Sequence, residues 1–93
     1  MNPALRAILV FLLNRRYIGG KHTPEKILIK RKTQWVKEKN EFKKEYKQII
    51  NEGFVLRCRK RTGKGSDWHI SLNPRKLQGL IERIDQDGNR RFL

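Results

Sequence analysis

Five cationic side chains fall within eight residues: Arg57, Arg59, Lys60, Arg61 and Lys64, with no acid among them. A ribbon this basic repels itself in isolation and gains by lying along a row of phosphates. Arginine also suits a narrow minor groove. The plainer account is a sheet edge guarded by charge, but such an edge mixes signs or uses one or two lysines.

A second set precedes it. Lys37, Asn40, Lys44, Lys47, Gln48 and Asn51, with Lys43 beside them, fall on one side of a helical repeat of 100° per residue, opposite Phe42, Tyr46, Ile49 and Ile50. Glu38, Glu41 and Glu45 lie to one flank, and none sits in the middle of that face. Lysine contacts phosphate and donates to guanine O6 and N7. Asparagine and glutamine pair two hydrogen bonds with adenine. The competing account is a solvated helix laced by i, i+4 ion pairs such as Lys37 with Glu41.

A third set, Lys21, His22 and Thr23 after Gly19-Gly20, precedes a helix start whose free N–H groups favour an anion. It lacks the spacing of a nucleotide-binding phosphate loop. The alternative is an ordinary capped loop.

Catalytic chemistry finds little support. His22 and His69, the only histidines, do not form a zinc spacing with Cys58. No clustered carboxylates suggest a nuclease metal site. Cys58 reads as a small core filler, His69 as strand decoration, and Trp68 as core. Trp35 reads as the edge of a core, with stacking on a base as the other account. The chain is expected not to be an enzyme and to need no cofactor or metal.

The bulk composition agrees. With 23 Lys and Arg against 9 Asp and Glu, the 93 residues carry a formal charge of +14. Repulsion at that density opposes folding and points to a polyanion in use: nucleic acid first, an anionic membrane surface or an acidic protein after it. The single cysteine cannot form an internal disulfide, so a reducing, cytoplasmic setting is expected. The apolar stretch from Ala7 to Leu13 is too short to span a bilayer, and Asn14, Arg15 and Arg16 follow it without a cleavage site. Membrane insertion and export are therefore not expected.

The elements that position these groups follow from local signals. Asn2 and Pro3 open a first helix running to about Arg15, with Leu5, Ile8, Leu9, Leu12 and Leu13 at helical spacing. Val10 and Phe11 make it apolar nearly all round, as in a buried helix or one used for dimerisation. Thr23 as N-cap, Pro24 and Glu25 start a second helix that ends near Arg31 or Lys32. Lys32 to Trp35 form a turn or an early start to the third helix, clear from Lys37 to Glu52 and closed by Gly53. Two alternating segments then make a hairpin. Phe54, Leu56 and Cys58 share one face of the first strand, with Val55, Arg57 and Arg59 on the other. Trp68, Ile70 and Leu72 share a face of the second, and Thr62-Gly63-Lys64-Gly65 is the turn. Asn73-Pro74 opens a last helix carrying Leu77, Leu80, Ile81 and Ile84. One domain over 1–84 and a frayed tail over 85–93 are expected.

This order, with an amphipathic helix ending in Asn51-Glu52-Gly53-Phe54-Val55, a basic hairpin with a glycine turn, and Asn73-Pro74, resembles the winged helix-turn-helix superfamily. The segment from Gly19 to Glu25 is also similar to small archaeal proteins, a likeness that carries no function. The resemblance implies an α+β, mainly α fold: three helices, a hairpin wing and a C-terminal helix. It also implies the third helix in the major groove and the wing on the backbone or minor groove. The expected function is double-stranded DNA binding, as a transcriptional regulator or a plasmid or chromatin accessory. A homodimer through the first or last helix is compatible with it, since two recognition helices read a palindrome. The alternatives are a winged helix for structured RNA, leaning on the wing, Trp35 and the Gly19 loop, and a protein-interaction module working through the first helix.

Overall fold

Asn2 begins the first helix as its residue type predicts. Its Oδ1 accepts from the Ala4 and Leu5 N–H groups at 2.9 and 3.3 Å, and Pro3 occupies a position that needs no N–H partner. The computed structural model describes residues 1–86. Its helices are α1 (Pro3–Asn14), α2 (Glu25–Thr33), α3 (Lys39–Asn51) and α4 (Leu77–Gln86). The strands are β1 (Thr23–Pro24), β2 (Val55–Thr62) and β3 (Gly65–Leu72), in one antiparallel sheet ordered β1-β3-β2. The fold is thus α+β, with four helices and a three-stranded antiparallel sheet. The expected tail over 85–93 is overturned at its start, where Asp85 and Gln86 continue α4. Its remainder lies outside the described residues.

The core is built around α1. Leu5, Ile8, Leu9 and Leu12 are fully enclosed, joined by Leu28 of α2, Phe42, Tyr46 and Ile49 of α3, Val55, Ile70 and Leu72 of the sheet, and Leu80 and Ile84 of α4. Val10, Phe11 and Leu13 are half-buried against this cluster. The apolar character of α1 is therefore used mainly within the chain.

The third strand was not expected. Thr23 is not the N-cap of α2; Pro24 holds that position. They pair with Ile70 and His69, and α2 starts after Pro24 with no side-chain cap bond. The physical reason is non-local. Gly19 N–H donates to the Leu72 carbonyl at 2.9 Å, Leu72 N–H donates to the Tyr17 carbonyl at 2.8 Å, and Ser71 Oγ donates to the Gly19 carbonyl at 2.9 Å. These bonds draw the segment alongside β3, where its backbone finds ladder partners.

The helix that follows reaches Thr33, whose Oγ1 donates to the Ile29 carbonyl at 2.7 Å. Of its aliphatic residues, Leu28 is buried and Ile29 half-buried against the core, while Ile27 is exposed. The connection runs from Gln34 to Glu38, and the Glu38 side chain accepts from Asn40 N–H at 2.9 Å. Lys37 therefore precedes α3 rather than riding on it, a correction of two residues. The end of α3 is as expected. Gly53 has φ +86°, a conformation costly for any residue with a Cβ, while Gly53 and Phe54 N–H groups return to Ile50 and Ile49 carbonyls.

The hairpin is longer than the alternation suggested. Pairing runs from Val55 opposite Leu72 through Arg57 opposite Ile70 and Arg59 opposite Trp68 to Thr62 opposite Gly65. Opposed residues share a face. The inner face is thus Val55, Arg57 and Arg59 with Leu72, Ile70 and Trp68, and Leu56 and Cys58 lie on the outer face. Cys58 is exposed, so the reading of it as core filler is overturned. Trp68 is also corrected. It shares the inner face with Ile70 and Leu72, but the hairpin outruns the core there and leaves it 40% exposed. Asn73 Oδ1 accepts from Arg75 N–H at 3.0 Å, opening a 3-10 turn (Pro74–Lys76) that leads into α4.

Candidate nucleic-acid interface

The outward face of α3 follows from its inward one. Phe42, Tyr46 and Ile49 are buried, so Asn40, Lys44, Lys47, Gln48 and Asn51 turn to solvent, with Lys43 at the flank. Gln48 Nε2 donates to Glu52 Oε1 at 3.2 Å. The Lys37–Glu41 ion pair of the competing account is not formed among the described residues. Among the described residues, Lys37, Lys43, Lys44 and Lys47 have no carboxylate within ion-pair distance. Their charge is available to an external anion.

On the hairpin, Arg59, Lys60, Arg61 and Lys64 are exposed. Arg57 differs from them. Its Nε and Nη2 donate to Glu25 Oε2 and Oε1 at 2.9 and 2.8 Å, a two-pronged contact that fixes the plane of the guanidinium. Glu25, the first residue of α2, is only 9% exposed, and its Oε2 also accepts from the Tyr46 hydroxyl of α3 at 2.5 Å. One carboxylate thus joins α2, α3 and β2. Burial, then the bond to Glu25, raises the Tyr46 pKa above that of a free phenol, while the Glu25 carboxylate holds the Arg57 proton more tightly than usual. Sequence reading missed this junction. Its only local sign is a lone acid at the head of a basic helix.

The guanidiniums of Arg57 and Arg59 lie over the Trp68 ring, 4.3 and 5.0 Å from its centroid. The two guanidiniums therefore cover the indole, which holds their charges near the sheet. The other tryptophan, Trp35, sits in the α2–α3 connection and is 84% exposed, which overturns its expected place at a core edge.

The loop before α2 is organised by protein contacts. Lys21 Nζ donates to the Arg15 carbonyl at 3.3 Å and stands 5.2 Å from the Tyr17 ring centroid. His22 Nδ1 lies 2.8 Å from His69 Nδ1, and Thr23 belongs to β1. His69 is thus engaged rather than decorative. Loss of solvent around the ring, followed by the nearby His22 and Lys60, lowers its pKa below the usual histidine range, with Asp67 opposing. The three sequence clusters are therefore not equivalent. The α3 face and the outer hairpin present cations to solvent, whereas Lys21, His22 and Thr23 are engaged within the fold.

The far end of α3 is braced by α4. Arg83 donates to the Glu52 carboxylate and Lys76 to the Glu52 carbonyl. The Arg83 bond holds the Glu52 carboxyl below its ordinary pKa. Among the described residues, no group of three or more His, Cys, Asp or Glu side chains is placed to hold a metal ion, and no helix is long and apolar enough to cross a membrane. The chain matches no family model, no curated protein and no solved structure.

Proposed function

We propose that this chain is a winged helix-turn-helix protein that binds double-stranded DNA, as a regulator of transcription. The α3 helix enters the major groove and the β2–β3 hairpin lies as a wing along the flanking backbone. One observation carries this reading: Glu25 ties α2, α3 and β2 together at a single carboxylate. A reading helix and a phosphate-gripping ribbon need a fixed mutual geometry to bind one duplex, and this junction supplies one. The unpaired lysines of α3 and the exposed cations of the hairpin give each element its chemistry. Asn40 and Lys44 are assigned to base edges, and Arg59, Lys60 and Arg61 to phosphates.

The fully presented Trp35 favours a second reading, in which structured RNA is bound through the wing and a base stacks on the indole. A protein-interaction role has less support, because α1 spends its apolar stripe inside the core. The two nucleic-acid readings separate on Asn40→Ala and Lys44→Ala. These changes abolish sequence preference if α3 reads a major groove. They barely alter binding if RNA is held elsewhere, because an A-form major groove does not admit a helix.

A further inference from the structure

We propose that His22 and His69 together form a chelating site for one divalent ion of the nickel, copper and zinc class. The two Nδ1 atoms face each other at 2.8 Å, with the rings close to perpendicular at 85° and their centroids 4.7 Å apart. Two imidazole nitrogens, each about 2.0–2.1 Å from one ion, stand about 2.9 Å apart at a right angle and about 3.3–3.4 Å apart at a tetrahedral angle. The observed separation is close to the right-angle bite of a square-planar ion or of one that fills its other positions with solvent. A direct hydrogen bond between the same atoms needs one ring protonated at Nδ1 and the other bare, with either ring as the donor. An ion accepts both lone pairs at once.

The sheet holds the pair ready. His69 lies on the central strand opposite Pro24, and His22 is two residues before Pro24, which returns it to the same sheet face. The backbone on the His22 side is anchored through the bonds of Tyr17 and Gly19 to Leu72. Little chain ordering is left for binding to supply. Imidazole donors favour this metal class over magnesium or calcium. Cys58 is opposite His69 on the outer face, with its thiol exposed. No third protein donor closes on the pair among the described residues, so the remaining coordination positions are open to solvent.

The test is independent of nucleic-acid binding. The full chain, and the same chain with Cys58→Ser so that a thiol cannot be the ligand, are titrated with Zn2+ alone. The imidazole nitrogens are followed by NMR, where two histidines give two sets of signals. The site predicts that both rings respond together and saturate at one equivalent, with and without the cysteine. His22→Ala should then lower Zn2+ affinity on the order of a hundredfold, since a single imidazole has lost its intramolecular partner. Zn2+ should also raise the melting temperature of the parent chain and not of that variant. Response of one ring only, no response at tenfold excess (about ten equivalents), or an unchanged His69 response in His22→Ala would overturn the proposal. The first two readouts use the unaltered histidines and so do not depend on the variant folding.

Discussion

Arg57 and Glu25 are bound by two hydrogen bonds of 2.9 and 2.8 Å across 32 residues of sequence, and the same carboxylate holds the Tyr46 hydroxyl. Glu25→Gln keeps the size of the side chain but removes the charge that satisfies two partners. It is expected to cost about 1–3 kcal/mol, less than the roughly 3–5 kcal/mol of breaking a fully buried pair, because the Arg57 side chain is 33% exposed. Tyr46→Phe should cost about 1 kcal/mol. Urea unfolding of both variants and their combination checks this. Strict additivity would mean that the three groups do not act as one junction.

Trp68 is the second case where position in the fold matters more than residue type. A fully enclosed tryptophan cut to alanine costs about 3–5 kcal/mol. At 40% exposure, with arginines as its cover, Trp68→Ala is expected to cost roughly half of that or less. Ile70→Ala, from the enclosed part of the same strand, should cost about 2–5 kcal/mol. Equal losses in thermal denaturation would place Trp68 in the core after all.

These contrasts show what the sequence made legible. Asn2-Pro3, Asn73-Pro74 and Gly53 are local signals with local causes, and the elements they bound lie where those signals put them. Thr23-Pro24-Glu25 is equally good cap chemistry. It became a strand edge because β3, more than forty residues later, offers ladder partners. Strand alternation correctly put Trp68 with Ile70 and Leu72, but alternation carries no information on how far a core extends along a hairpin. Of the candidate site, the exposed cations on α3 and the hairpin were legible as charge patterns. The Glu25 junction and the His22–His69 contact were not, because their partners share no spacing.

The histidine pair predicts a pH dependence. His69 has a native pKa below its ordinary value of about 6.5. The unfolded chain therefore binds more protons than the native one as pH falls through that region, and stability rises with pH. The contribution is complete above about pH 6.5 and is lost as pH drops through the lowered native value. Chemical denaturation at steps between about pH 7.5 and 5 should show a decline in stability that His69→Phe removes. An identical decline in that variant would assign the effect to other groups.

The wing and α3 are expected to fail differently. Arg59→Ala and Lys60→Ala should weaken binding to every duplex and each flatten the salt dependence by about one counterion. Asn40→Ala and Lys44→Ala should narrow the gap between preferred and random duplexes by about 1–3 kcal/mol where they meet bases. Equal loss on both kinds of duplex would remove α3 from sequence reading while leaving it a phosphate contact.

The proposed role of this chain, whose formal charge is +14, is to bring the cations of α3 and of the braced hairpin onto duplex DNA. Its most direct test is binding of the full chain to random duplex DNA, structured RNA and single strands, each across a salt series. The tightest binding is expected for duplex DNA, with log affinity falling steeply and linearly against log salt. Preference for structured RNA, or negligible binding to all three near physiological salt, would contradict it.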